Sequence, residues 1–145
     1  MRDQNRRSAT AFAPASVGNV GVGFDILGHT VAALGDKVRA TRRAEPGVAI
    51  RSITGTVDNL PLAAEKNTAG MAVLALCREL SLPYGFDLDI EKGIPLGSGL
   101  GGSAASAVAG IVAATALVDE PLDRTELLMF AMQGEAVARG SVHVD

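Results

Sequence analysis

Gly93-Ile-Pro-Leu-Gly-Ser-Gly-Leu-Gly-Gly-Ser-Ala-Ala-Ser106 decides how this chain is read, because of what stands on either side of it. Before it, Phe86-Asp-Leu-Asp-Ile-Glu91 alternates with period two. That is a strand whose Phe86, Leu88 and Ile90 face inward while Asp87, Asp89 and Glu91 face water as a solvated strand face, not a metal site. After it, Ser103 to Val118 is dominated by alanine, the strongest helix former, with Val108, Ile111 and Val112 expected to supply apolar contact. Strand, glycine-rich loop, helix is the order an anion site requires. Glycine lets the backbone approach a phosphate, and the unpaired N–H groups at a helix start attract negative charge by roughly 0.3 to 1 kcal/mol. Ser103 adds a hydroxyl for a phosphate or a metal ion. A flexible turn ending in a serine cap is the plainer reading, and the ordered run of five glycines disfavours it.

Two common phosphate loops fit less well. Gly97-x-Gly99-x-x-Gly102 meets the dinucleotide spacing, but it lies in mid-chain after several strands, and Asp119, at about the distance of a ribose contact, follows a helix. A Walker-type loop carries Lys after its last glycine, whereas Ser103 stands there and no lysine follows Lys92. The phosphate charge must then be met by another cation, and magnesium held by a carboxylate is the natural substitute. Glu135 is the candidate: seven residues after Leu128 and four after Ala131, it falls on their apolar helix face, where a carboxylate needs a partner. An ordinary exposed helix glutamate is the alternative.

Working outward, Thr10 to Ala15 reads as a strand and Ser16 to Gly23 as a glycine-rich loop. Phe24 to Leu34 reads as extended, and Gly35-Asp36 as a turn into Lys37 to Arg43. Glu45-Pro-Gly47 turns into Val48 to Thr54. Asn67 or Thr68 caps a helix with Val73, Leu74, Cys77 and Leu80 at helical spacing, and Leu82-Pro83 stops it, so Cys77 is a core residue and not a reactive thiol. The next helix opens at Asp123, which forms a capping box with Glu126, while Leu122 and Leu127 form a hydrophobic staple; it ends near Gly140. The order suits an α+β domain with helices on one face of a mainly antiparallel sheet. Residues 1–9 are expected to be a disordered tail and 10–145 the domain.

With 145 residues and 48% hydrophobic content the chain can build one core. Its formal charge of -3 offers no basic stripe for nucleic acid. The alanine-rich run lacks the density of a bilayer span, no signal peptide fits the N-terminus, and Cys77 has no internal partner, so a cytoplasmic location without membrane association is expected.

Pro95 to Ser106 resembles the second motif of the GHMP kinases, Pro-x-Gly-x-Gly-Leu-Gly-Ser-Ser-Ala-Ala, with Gly102 replacing the first serine of the pair. Ala13-Pro-Ala-Ser-Val-Gly-Asn-Val-Gly-Val-Gly-Phe-Asp-Ile-Leu-Gly28 and Gly140-Ser-Val-His-Val-Asp145 are similar to two further segments of the homoserine kinases within that superfamily. The resemblance implies the GHMP kinase amino-terminal domain, of the ribosomal protein S5 domain 2-like fold. It also implies transfer of the ATP γ-phosphate to L-homoserine, giving O-phospho-L-homoserine on the threonine route. Carried over, Pro95, Leu96, Gly97, Ser98, Gly99, Leu100, Gly101, Gly102, Ser103, Ala104, Ala105 and Ser106 hold ATP, and Asn67 lies near the adenine. Ser103 and Glu135 hold Mg2+, and Asn19, Asp25 and His143 line the amino-acid site. No general base is assigned. His143 and Asp145 alone are too few to specify a metal site. Homoserine kinases are roughly twice this length, so a carboxy-terminal domain is expected to be absent, the fragment alone is doubtful as a catalyst, and a homodimer is left open. A mevalonate- or sugar-type GHMP kinase and a non-catalytic nucleotide-binding module are the competing readings.

Overall fold

The computed structural model describes residues 6–18 and 28–140, the last three of them as backbone. Four strands form one sheet in the order β1-β2-β4-β3: β1 (Ser8–Val17), β2 (His29–Arg43), β3 (Gly47–Gly55) and β4 (Gly85–Lys92). The β1–β2 and β2–β4 pairs are antiparallel, and β3 runs parallel to β4, so the sheet is mainly antiparallel as expected. The helices are α1 (Thr68–Glu79), α2 (Gly102–Thr115) and α3 (Arg124–Gly140).

The strict alternation in β4 decides which face is inside. Phe86, Leu88 and Ile90 are buried together with Val38 and Ala40 of β2. Asp87 and Asp89, on the other face, pair with Arg43 and Arg51, the Arg51–Asp89 contact being 2.8 Å. Against the apolar face lie α2, over β1 and β2, and α1, while α3 packs on α1 and α2 as an outer layer. Close helix packing follows from small residues: a Cβ on Gly110 would meet the Cβ of Ala69 at 3.3 Å. Asn67 caps α1 by accepting from the Ala69 and Gly70 amides, and Asp123 and Glu126 exchange the two hydrogen bonds of a capping box at the start of α3.

Four expectations need correction. Ser8 and Ala9, read as part of a tail, belong to β1, and Ala9 is in the core. Gly35-Asp36 is not a turn: β2 runs through it, and the turn-like residues mark a bulge. Pro14 pairs with Gly35 but Ala15 with Val31, so 32–34 are extra, and Ala33 takes a φ of 64°. Of the three larger apolar residues expected to pack from α2, only Ile111 is buried, whereas Val108 and Val112 are exposed, because α1, α3 and the sheet cover the other sides of that helix. On α3, Leu128 is 58% exposed, so it does not mark a core face.

Candidate functional site

The loop leaves β4 at Gly93 and enters α2 at Gly102. Its Gly97, Gly99 and Gly101 all take positive φ, near 70°, so the chain doubles back in a left-handed conformation that L side chains resist. Gly101 caps α2 without a side chain, and a Cβ there would lie 2.7 Å from Ser16 Oγ. The loop is tied to β1 by the Ser16 amide, which donates to Leu100 O at 2.8 Å. The result is a helix start whose first-turn amides face no cap from their own N-cap residue, preceded by a loop of accessible backbone, the combination that binds anions.

A cleft of about 830 Å³ opens over this loop. Pro95, Leu96, Gly97, Ser98, Gly99, Leu100, Gly101, Gly102, Ser103 and Ser106 all line it, whereas Ala104 and Ala105 do not; Ala105 faces the core. The opposite wall comes from Leu60, Pro61 and the segment Glu65 to Thr68, with Val137 of α3 at one side. The size and largely apolar wall with convergent polar groups suit a small molecule with an anionic end. Asn67 is part of that wall. Its Oδ1 is already committed to the α1 amides and its Nδ2 donates to Pro61 O at 3.2 Å, so it shapes the cleft first and offers at most one further N–H. The Thr68 hydroxyl donates to Ser103 O at 3.1 Å, joining α1 to the start of α2.

Glu135, half-buried on α3, has a buried Oε1 without a hydrogen-bond partner among the described residues. An ionised carboxylate oxygen withdrawn from water demands compensation. It lies one turn from buried Ala131 and beside buried Gly134, at the border with the exposed Leu128 and Met132 stripe, which accounts for the half-burial. No set of three His, Cys, Asp or Glu side chains able to hold a metal ion unaided occurs among the described residues. Asn19, Asp25 and His143, the expected amino-acid site, lie outside the described residues.

Reading residue types along the loop missed the groups beneath it. Asp36 is fully buried and Lys92 is 5% exposed; the two form an ion pair, and Ser106 Oγ donates to the same carboxylate at 2.7 Å. The signal for both was strand parity: Asp36 is in phase with Val38 and Ala40, and Lys92 with Leu88 and Ile90, so each charge stands on a face otherwise filled by apolar side chains. Lys66, an exposed cation lining the cleft, was also missed.

A family profile described as "GHMP kinases N terminal domain" matches residues 67–145. Homoserine kinase of Xylella fastidiosa (strain M12) is 57% identical over 137 residues, 94% of this chain and 42% of that protein. Homoserine kinase of Chlorobaculum tepidum is 42% identical over 149 residues, 96% of this chain and 46% of that one. The chain thus spans less than half the length of these relatives. Among solved structures, homoserine kinase from Cytophaga hutchinsonii superposes with a TM-score of 0.88 at 44% identity, over 94% of this chain and 43% of that one. The fold extends to far more divergent sequences: L. major mevalonate kinase has a TM-score of 0.69 at 18% identity, over 94% of this chain and 45% of that one. With the profile spanning more than half of the chain and containing the glycine loop, α2 and α3, this chain belongs to the GHMP kinases and carries the family's N-terminal domain.

Proposed function

We propose that the chain is the nucleotide-binding part of a homoserine kinase, which transfers the γ-phosphoryl group of ATP to the hydroxyl of L-homoserine and yields O-phospho-L-homoserine. The observation that carries this reading is the left-handed glycine loop opening α2 inside the cleft, in a chain 57% identical to a homoserine kinase. Pro95 to Ser103 cradle the phosphates, chiefly through backbone N–H groups, while Ser106, one turn further into α2, holds the loop from beneath through its hydroxyl. The apolar wall around Leu60 and Pro61 takes the base, with Asn67 fixing that wall.

The residues present fit Mg2+. Glu135 would supply a buried carboxylate oxygen that has no partner among the described residues and Ser103 a hydroxyl at the cleft; magnesium bound with a nucleotide commonly keeps water and phosphate ligands, so a three-residue cluster would not be required. When bound, the ion neutralises phosphate charge and supports transfer. The chain's own part is to align: the rigid start of α2 fixes the phosphates, and positioning of this kind lowers a barrier by about 7 to 11 kcal/mol in favourable cases. Asn19, Asp25 and His143 hold the amino acid, Asp25 being able to pair with its ammonium group. No residue is assigned as a general base.

ADP release from MgATP, measured on the full chain with and without L-homoserine, tests the reading. Homoserine-dependent release is expected, with mevalonate and sugars inactive. Loss of release in Ser103→Ala and in Glu135→Ala is expected by about 100-fold; unchanged turnover in both overturns the assignment.

A further inference from the structure

Both ends of the glycine loop converge on a single buried carboxylate. At the entry, Asp36 Oδ1 accepts from the Gly93 amide at 2.9 Å and from the Ile94 amide at 3.1 Å. At the exit, its Oδ2 accepts from Ser106 Oγ of α2 at 2.7 Å and from Lys92 Nζ. Lys92 Nζ donates in addition to Gly102 O at 3.0 Å and to Ser106 Oγ at 2.8 Å. All three ammonium hydrogens therefore have inward acceptors, and the lysine nearest the phosphate loop spends its charge on the scaffold.

The backbone is shaped to permit this. A Cβ on Gly93 would lie 2.0 Å from Gly35 O, so β4 and the β2 bulge approach as closely as two glycines allow. That approach, with the bulge, brings the Asp36 carboxylate within reach of two loop amides. A buried ion pair is weak support for stability, because well-packed apolar residues of similar volume often do as well or better. Its placement under a loop with glycine at 97, 99, 101 and 102 has another use. Such a loop has many backbone conformations to lose when it closes on phosphate, and fixing its ends in advance removes part of that loss.

We propose that Asp36 is the positioning residue of the phosphate loop: acting through Lys92 and Ser106, it holds the entry and exit of the loop at a fixed separation and touches no ligand atom itself. This rests on the phosphate-binding role proposed above. Asp36→Asn keeps the shape of the side chain but presents either an amide nitrogen or an uncharged oxygen to Lys92, and Ser106→Ala removes one hydroxyl from the exit side only.

In the full chain, the MgATP dissociation constant and the KM for ATP are expected to rise about 10- to 100-fold in Asp36→Asn. The rise in Ser106→Ala is smaller, and in both variants the KM for L-homoserine stays within about twofold. Amide hydrogen exchange at 97–102 speeds up in each variant, while amides of β2 and β4 away from residue 36 keep their wild-type protection. A purely structural role would instead speed exchange throughout the chain and shift both KM values together. That result overturns the proposal, as does unchanged MgATP affinity with unchanged loop exchange. Should Asp36→Asn not fold, Ser106→Ala decides by the same readouts. If the variants respond as expected but the wild-type chain transfers nothing to L-homoserine, the activity reading is overturned and Asp36 stays assigned; wild-type chain that binds no MgATP overturns both.

Discussion

Cys77 faces the core from the last turns of α1, and burial pushes its thiol up to about 11 from 9.0, with the Arg43 charge pulling weakly the other way. A folded-state value above the unfolded one contributes stability in full below pH 9, and that contribution is lost as pH rises from 9 through 11, since the unfolded chain releases the proton first. Cys77→Ala should therefore lose less of its neutral-pH stability than wild type when urea midpoints are compared at about pH 10. Gly101 carries a different kind of constraint. Its φ of 71° disfavours any side chain, and a Cβ would press on Ser16 Oγ at 2.7 Å. Gly101→Ala is expected to cost about 1 to 3 kcal/mol in a denaturant titration, and to weaken MgATP binding because the residue also caps α2.

At the scale of elements, the same local rules that made α1, β4 and α3 readable left the bulge in β2 hidden. Capping residues act on amides two or three positions away, so Asn67 and the Asp123 and Glu126 pair announce their helices in sequence, and Asp123→Ala should cost about 1 kcal/mol by thermal or urea unfolding. The alternation of β4 is equally local. A bulge is settled by the partner strand: Gly35-Asp36 has the composition of a turn, and only the register against Ala13 and Pro14 shows the chain continuing. The site divides the same way. Loop residues 95–103 were legible from glycine spacing, whereas the clamp of Asp36, Lys92 and Ser106 joins positions 56 and 70 residues apart through side chains. The α1–α3 crossing was invisible for a related reason, since it depends on Gly134. A Cβ there would sit 2.3 Å from Thr68 O and 2.9 Å from Ala72 Cβ. Gly134→Ala should push α3 off α1, costing about 1 to 3 kcal/mol by overpacking, and should weaken magnesium-dependent ATP binding because Glu135 moves with the helix.

On the scale of the whole molecule, the sheet buries one face fully while the helical layer does not close over its own exterior. Leu128, Met129 and Met132 stand 58%, 57% and 62% exposed on one side of α3, and Val108 and Val112 are about two-fifths exposed on α2. Scattered apolar residues are ordinary on a protein surface, but three long side chains within two turns of one helix make a continuous apolar strip. On the far side of the molecule, Arg43, Arg51, Asp87 and Asp89 cover the open face of the sheet and keep it wet through partly exposed ion pairs that contribute little stability each. Exposed Arg124 and Glu126 flank the strip only at the start of α3, and with a net charge of only -3 there is little general repulsion to oppose contact through it. The 145-residue chain by itself should therefore self-associate with rising concentration, as read by light scattering or sedimentation. Met129→Lys with Met132→Lys should keep it monomeric at concentrations where the wild type associates, and because both positions are solvent-facing, the unfolding midpoint should move by no more than about 0.5 kcal/mol in equivalent free energy. If the double variant associates as strongly as the parent, α3 is not the contact surface, and the exposed Val108 and Val112 of α2 become the positions to charge next.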